Sequence, residues 1–439
     1  MLSAIDKISA IRAAFPPEGL FAEKEWLLSP EPFAIDSRLR EQIEKLGHRL
    51  NLFVRACNEL YFRSVAGKQP AWIAEYLDRG KPPALVAFSR RGESRNELPL
   101  VLRPDLVLTD DGFTIAELDN VPGGIGLTAW LNRTYSALGA NVIGEANGMI
   151  EGFQAIAPNG DILVSREAMT YRPEMEYLAR HVGGRVSAAE VAQPPDMKQQ
   201  SDRDVAAAAT FYRFFELFDL PNIPSAPSLM EAVARREVRV TPPFKPFLEE
   251  KMWFALFWLR PLREFWRREL GERHFFELQK HIPYTWILDP APLPQHAVIP
   301  GLDIQSWREL GEFSQKQREL VLKISGFHET AWGSRSVVLG SDVPQNEWQA
   351  AIERALMEFE QHPHILQRFH KGRVVQQQFF NSSTGALEVM RGRVRLCPYY
   401  FIIDGKAQLR GALATICPAD KKLLHGMKDA VLAPTAITD

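Results

Sequence analysis

Cysteine is scarce in this chain. Its three residues, Cys57, Cys397 and Cys417, are odd in number and fall at no metal-ligand spacing, which fits a reduced cytosol better than a secreted disulfide framework. An excess charge of either sign is also missing. The formal net charge is -2 at pH 7 with 24% charged residues, so no global field draws the chain to nucleic acid or to an anionic membrane. Long apolar runs are absent: the longest, MWFALFWL from Met252, stops at Arg260, far short of the ~20 residues a bilayer-spanning helix needs. The first residues, MLSAIDKISAIRAAF, put Asp6 and Lys7 inside an amphipathic pattern rather than a signal-peptide core. There is no GxxxxGK[ST], GGIG from Gly123 does not complete a dinucleotide fingerprint, and no GxSxG or Cys-His arrangement points to a hydrolase. Internal repeats and low-complexity tails are lacking too. The expectation is a soluble cytoplasmic protein without nucleic-acid or membrane partners; its oligomeric state is not legible.

What is present begins with size. At 439 residues, 46% of them hydrophobic, the chain can bury several cores and build two or three domains. Residues 1–84 read as an all-helical leader, LREQIEKLGHRLNLFVRACNELYFRSV repeating apolar positions every three or four residues. Residues 85–141 turn to strands and Gly/Pro turns, closing on a Gly-rich turn that enters a helix. Within 142–240, DILVSREAMTYRPEMEYLARHVGGRVSAAEV reads strand, helix stopped by Gly183 and Gly184, strand: a β-α-β unit that demands a largely parallel sheet. QPPDMKQQSDRD is then a polar loop before helices containing AAAATFYRFFELFDLP. Residues 241–317 are mostly helical with a break at Pro261, and 318–439 return to an antiparallel sheet carrying the helix EWQAAIERALMEFEQ, with a second Asp-Gly hairpin at IDGK.

The stretch LRPDLVLTDDGFTIAELDNVPGG, Leu102–Gly124, concentrates acids. TDDG is hairpin chemistry, which makes Asp110 and Asp111 turn residues. Glu117 and Asp119, two apart, share a strand face. If Gly112 sits in the left-handed position of a three-residue loop, Asp105 opposes Glu117 and three carboxylates converge, with Arg103 pointing the same way. A two-residue loop splits them. Converging carboxylates read as a hard-cation site with oxygen ligands; the alternative is the solvent face of an edge hairpin.

LVLKISGFHETAWGSRSVVLG, Leu320–Gly340, ends a strand in a lysine and enters a loop with glycines at both ends. Such a lysine can reach nucleotide phosphates while loop amides cover them, although most strand lysines are solvated edge residues. His362, His364 and His370 in HPHILQRFH have no cysteine or acid to complete a zinc set. His328 and Glu329 read as substrate contacts or as an ordinary polar loop. FWLRPLREFW is a helix-packing face rather than a base-stacking platform.

In the order of these pieces the chain resembles the circularly permuted ATP-grasp ligases, the branch that includes glutathionylspermidine synthase, over residues 85 to 435. RPDLVLTDDGFTIAELDN resembles the family's early Arg-x-Asp followed by Glu-x-Asn. Lys251 in LEEKMWFALF, with IPYT after it, and Lys323 in LVLKISG look like its two phosphate lysines, and HILQRFH like the hinge strand. The resemblance implies a mixed α+β and α/β architecture: an ATP-grasp core in permuted order with a pre-ATP-grasp β-α-β domain and the helical leader. It implies ATP held by Lys251, Lys323, Ser325, Gln367 and Phe369, and Mg2+ held by Asp105, Glu117 and Asp119, or by Asn120 through a one-residue shift. Asp119 replaces the usual asparagine. Arg103, Lys323 and Arg410 then hold the transferring phosphoryl group, because Thr415 stands about where the family has an arginine and Arg410 or Arg395 compensates. The loop FHETAWGSR is longer and less glycine-rich than the family's. The implied activity is joining a small carboxylate, such as an amino acid or peptide, to an amine through an acyl phosphate; the alternative is a catalytically silent nucleotide- or partner-binding relative.

Overall fold

The computed structural model describes residues 2–20, 25–190, 209–331, 333, 335–425 and 428–438. The helices are α1 (Ala4–Ala13), α2 (Ser37–Val65), α3 (Trp72–Asp78), α4 (Pro83–Ser89), α5 (Ile125–Ala137), α6 (Gly148–Ile156), α7 (Arg172–Val182), α8 (Ala226–Ala234), α9 (Met252–Trp258), α10 (Arg263–Leu270), α11 (Glu272–His281) and α12 (Gln345–Met357). The strands are β1 (Phe33–Ile35), β2 (Val101–Thr109), β3 (Gly112–Asp119), β4 (Asp161–Val164), β5 (Val186–Ala188), β6 (Ala209–Phe214), β7 (Val238–Thr241), β8 (Thr285–Ile287), β9 (Leu320–Ile324), β10 (Val338–Leu339), β11 (His364–Arg368), β12 (Val374–Asn381), β13 (Ala386–Ile403), β14 (Lys406–Pro418) and β15 (Val431–Ile437). They divide into two compact units, Met1–Leu52 with Arg91–Phe244 and Lys371–Asp439, and Phe53–Arg90 with Lys245–His370.

The first unit holds two sheets. One runs β1-β15-β14-β13-β2-β3, with β12 also on β13; every pairing is antiparallel except β1 with β15. At IDGK the chain reverses through Asp404 and Gly405, at φ 50° and 74°, the positive pair a type I′ turn requires. The long β13 has Tyr400 on one side, its hydroxyl donating to the carbonyl of Ile43 on α2, and Tyr399 and Phe401 on the other, toward α5 and α6. The second sheet is all parallel, β5-β4-β6-β7. Here the expected β-α-β unit is β4-α7-β5. Val101, Ile125, Trp130, Phe153, Ile162, Tyr212 and Tyr399 share one apolar core.

The second unit is built on an antiparallel sheet, β10-β9-β11-β8. The apolar stripe of α12 packs on it: Trp348 and Ile352 lie with Leu322, Leu366 and Trp286. The helix after VTPPFKPF breaks at Pro261 into α9 and α10, as a residue lacking an N–H must.

Four expectations are corrected. The leader is not all helical, because β1 pairs in parallel with β15. Residues 83–89 are helical rather than the opening of a strand region. ATFYRF is strand β6, not helix: a parallel strand covered on both faces lacks the alternation that marks a half-buried strand. Residues 318–439 supply strands to two separate sheets, β9–β11 to one and β12–β15 to the other. The loop Gln193–Asp204 lies outside the described residues.

Candidate functional site

In the first unit the acid-rich hairpin is β2-β3. Its turn has two residues, Thr109 facing Gly112 across Asp110 and Asp111. Continued regularly, that pairing sets Asp105 opposite Ala116 and divides the acids. The ladder instead shifts between Asp105 and Leu106, and beyond the shift Asp105 faces Glu117 and Arg103 faces Asp119. Ala116 is the extra residue of a β-bulge. The acids therefore share a face, through a device in mid-strand rather than in the turn.

Arginines stand among them. Arg103 Nε is 3.2 Å from Asp105 Oδ1, and one of its Nη atoms is 2.9 Å from Asp119 Oδ2; the other donates to the Gly123 carbonyl at 3.0 Å. From β13, Arg395 lies 3.1 Å from Asp105 Oδ2, and the Cys397 thiol donates to Asp105 Oδ1 at 3.4 Å. Asp119 Oδ1 accepts the Val121 N–H at 2.8 Å. Tyr399, the next residue of that strand face, donates to the Gly123 carbonyl at 2.8 Å. Burial works against the Arg103 charge, but Asp105 and Asp119 outweigh it and hold the guanidinium above its ordinary range. Asp119 is pushed up by burial, with Arg103 opposing and Glu117 assisting. Burial, with Asp105 adding to it, raises Cys397 to about 12, so this thiol is a donor rather than a nucleophile. Glu117 is half-buried, and Asn120 is buried just past the end of β3.

Of the two arginines offered in place of Thr415, the structure brings Arg395 to the acids. Thr415 lies directly opposite it on β14, fully buried, with no hydrogen-bond partner for its hydroxyl among the described residues. Arg410 sits at the irregularity near Tyr399 and Tyr400, paired to Glu151 at 3.2 Å and to Gln408 at 2.6 Å. Among the described residues no group of three or more His, Cys, Asp or Glu side chains is arranged to hold a metal ion. The Gly-rich turn before α5 is filled as well. Glu174 of α7, fully buried, accepts the N–H of Gly124 at 2.7 Å and of Leu127 at 2.9 Å, so a carboxylate of the chain itself takes the amides a phosphate would use. Gly124, at φ 85°, has no room for a Cβ, which would lie 2.5 Å from the Tyr399 hydroxyl.

In the second unit Lys323 of β9 is buried and its ammonium donates to Gln367 Oε1 on the adjoining β11 at 3.0 Å. Gln367 in turn donates to Thr285 on β8 at 3.3 Å. Lys251 precedes α9, and its ammonium donates to the Ala331 carbonyl at 2.8 Å. Ser325 is fully buried, its hydroxyl donating to Glu250 while it accepts the Met252 N–H at 2.9 Å. Phe369 is half-buried just past β11, its N–H on the Glu319 carbonyl. His328 and His362 stack edge to face at 4.5 Å, and burial lowers His364 to about 4.

Sequence reasoning missed Cys397, Tyr399, Glu174, Lys81 and Glu250. The first two were within reach, since RVRLCPYY repeats every second residue from Arg395 and so lines one face. Glu174 caps a helix some fifty residues away, and Lys81 meets Glu250 across 169 positions; no local pattern announces either.

Taken together, these sheets and helices define a mixed α/β protein in which a long, mainly antiparallel sheet takes its strands from both ends of the chain, with the strands of the parallel sheet and then of the smaller antiparallel sheet between them in sequence. That is the fold of a glutathione synthetase-like effector from Globodera pallida, with which it shares a TM-score of 0.52 at 12% identity over 99% of this chain and 97% of the other. A putative gamma-glutamylcysteine synthetase from Methylobacillus flagellatus KT aligns over 90% of this chain and 87% of its own at 13% identity, with a TM-score of 0.40. No protein-family profile and no curated protein matches the sequence.

Proposed function

We propose that the chain is an ATP-dependent ligase of permuted ATP-grasp order that joins a small carboxylate, an amino acid or short peptide, to an amine. The observation that carries the reading is the contact of Lys323 with Gln367: a buried strand-end lysine lies beside the strand the resemblance names as the adenine hinge. The fold shared with a glutathione synthetase-like protein over nearly the whole chain supports it.

The donor set fits a nucleotide. Lys323, which donates to the Gln367 amide oxygen, and Lys251, which donates to the Ala331 carbonyl, supply two ammonium groups, of the kind that bind phosphate oxygens. Gln367 and Phe369 are assigned to the base. When bound, ATP supplies the γ-phosphoryl group that activates the substrate carboxylate as an acyl phosphate, and the work of the chain is positioning and charge neutralisation. Asp105, Glu117 and Asp119, with Asn120 beside them, are the oxygen donors that would hold Mg2+; two or three would suffice because that ion keeps several of its waters. Arg103 and Arg395 already compensate Asp105, so a bound cation displaces at least one guanidinium contact. Arg395 is assigned the phosphoryl-holding role in preference to Arg410, which is tied to Glu151.

Calorimetry with ATP and Mg2+ tests the reading: wild type binds, and Lys323→Ala weakens binding at least about tenfold, or 1.4 kcal/mol, while circular dichroism shows an intact fold. A wild type that neither binds ATP nor releases phosphate with any amino acid, peptide or amine sinks it. One observation favours a second reading, a silent nucleotide-binding relative: all four oxygens of Asp105 and Asp119 are engaged by the protein's own groups. ATP binding without phosphate release across the same acceptors selects that one.

A further inference from the structure

We propose that Lys81, Glu250 and Ser325 form a positioning device that fixes the two candidate phosphate lysines, Lys251 and Lys323; the inference rests on the nucleotide reading above. All three lie in the second unit. The Lys81 and Glu250 side chains are 1% and 3% exposed and pair at 2.5 Å. Glu250 uses its other oxygen to accept the Ser325 hydroxyl, and that hydroxyl accepts the Met252 N–H at 2.9 Å. The Ser325 carbonyl accepts the Lys251 N–H at 2.8 Å, and its N–H donates to the Pro363 carbonyl at 2.9 Å.

The arrangement clamps both lysines through their neighbours. Glu250 immediately precedes Lys251, and Ser325 is two residues after Lys323, so the hydroxyl-carboxylate contact ties the start of α9 to the end of β9. The next residues are shaped by it. A Cβ on Gly326 would lie 3.0 Å from the Glu250 carboxylate and 2.8 Å from the Glu249 carbonyl, so only glycine lets the loop leave β9 this closely. The Lys81 ammonium lies 5.7 Å from the centre of the Phe327 ring, a cation–π contact, and Phe327 takes the uncommon φ of 44°. A buried ion pair is weak evidence of stability, because desolvation offsets its attraction. Here it fixes an orientation: the carboxylate cannot turn without leaving a buried ammonium unpaired. The loop that starts at Gly326 and reaches Ala331, the acceptor for the Lys251 ammonium, therefore departs from a rigid base.

The role assigned to Ser325 thus becomes holding the lysines rather than touching nucleotide. Calorimetric ATP titrations well below the melting temperature, on Ser325→Ala, Lys81→Met and Lys81→Met/Glu250→Gln, test it. Each variant is expected to weaken ATP affinity about tenfold, and the double variant to recover the melting temperature lost by Lys81→Met without recovering affinity. Variants that melt lower yet bind ATP as wild type does overturn the positioning role and leave the nucleotide reading standing. A wild type that does not bind ATP overturns both. Should the ion-pair variants fail to fold, Ser325→Ala, which keeps the pair, decides alone.

Discussion

His364 shows how one buried group sets an acid limit. Its Nδ1 lies 2.8 Å from the His362 carbonyl and its side chain is 8% exposed, so burial holds its pKa near 4 against an ordinary 6.5. A depressed folded pKa contributes stability that is present above 6.5 and lost as pH falls toward 4. Urea unfolding across that window is expected to show wild type losing roughly 3 kcal/mol relative to His364→Asn; parallel pH profiles would refute this. At this scale the sequence showed the acids, both lysines and Arg395 as chemistry. It did not show their state, since a guanidinium beside Asp105 depends on β13 lying next to β2, 290 residues away in the chain.

Helix α5 is held at its start by Glu174 of α7. Glu174→Ala leaves two buried N–H groups, of Gly124 and Leu127, without acceptors and is expected to cost about 3 kcal/mol in denaturant unfolding. Glu174→Gln, which keeps one acceptor oxygen, is expected to cost less; equal losses would mean the cap is not what matters. Elements with a clean period were legible: the β-α-β unit, α12, and both Asp-Gly hairpins. Strand β6 was not, because an aromatic run buried on two sides carries no period. Strand β1 was not, because three residues paired with the far end of the chain leave no local signal.

The whole molecule has two units, each with its own apolar core. Seven of the nine tryptophans among the described residues, all but Trp26 and Trp130, fall within the second. Tryptophan fluorescence therefore reports mainly that unit, and far-ultraviolet dichroism reports both. Thermal unfolding is expected to give non-coincident curves by the two probes, with ATP raising chiefly the fluorescence-detected transition, since Lys251 and Lys323 lie there. An ATP shift seen only by dichroism would contradict the lysine assignments. No helix among the described residues is long and apolar enough to cross a membrane. At this scale the succession of helical and strand-rich stretches was legible, while the interleaving of segments from distant parts of the chain into each unit was not.

The irregular residue in the acid-bearing hairpin has a consequence for how this surface tolerates change. Ala116 divides the strand pair into two stretches that keep separate phase. Substitutions or length changes near the Asp110–Asp111 reversal can be absorbed there before they reach Asp105, so the loop tip is free to drift while the ionic side of the ribbon stays oriented.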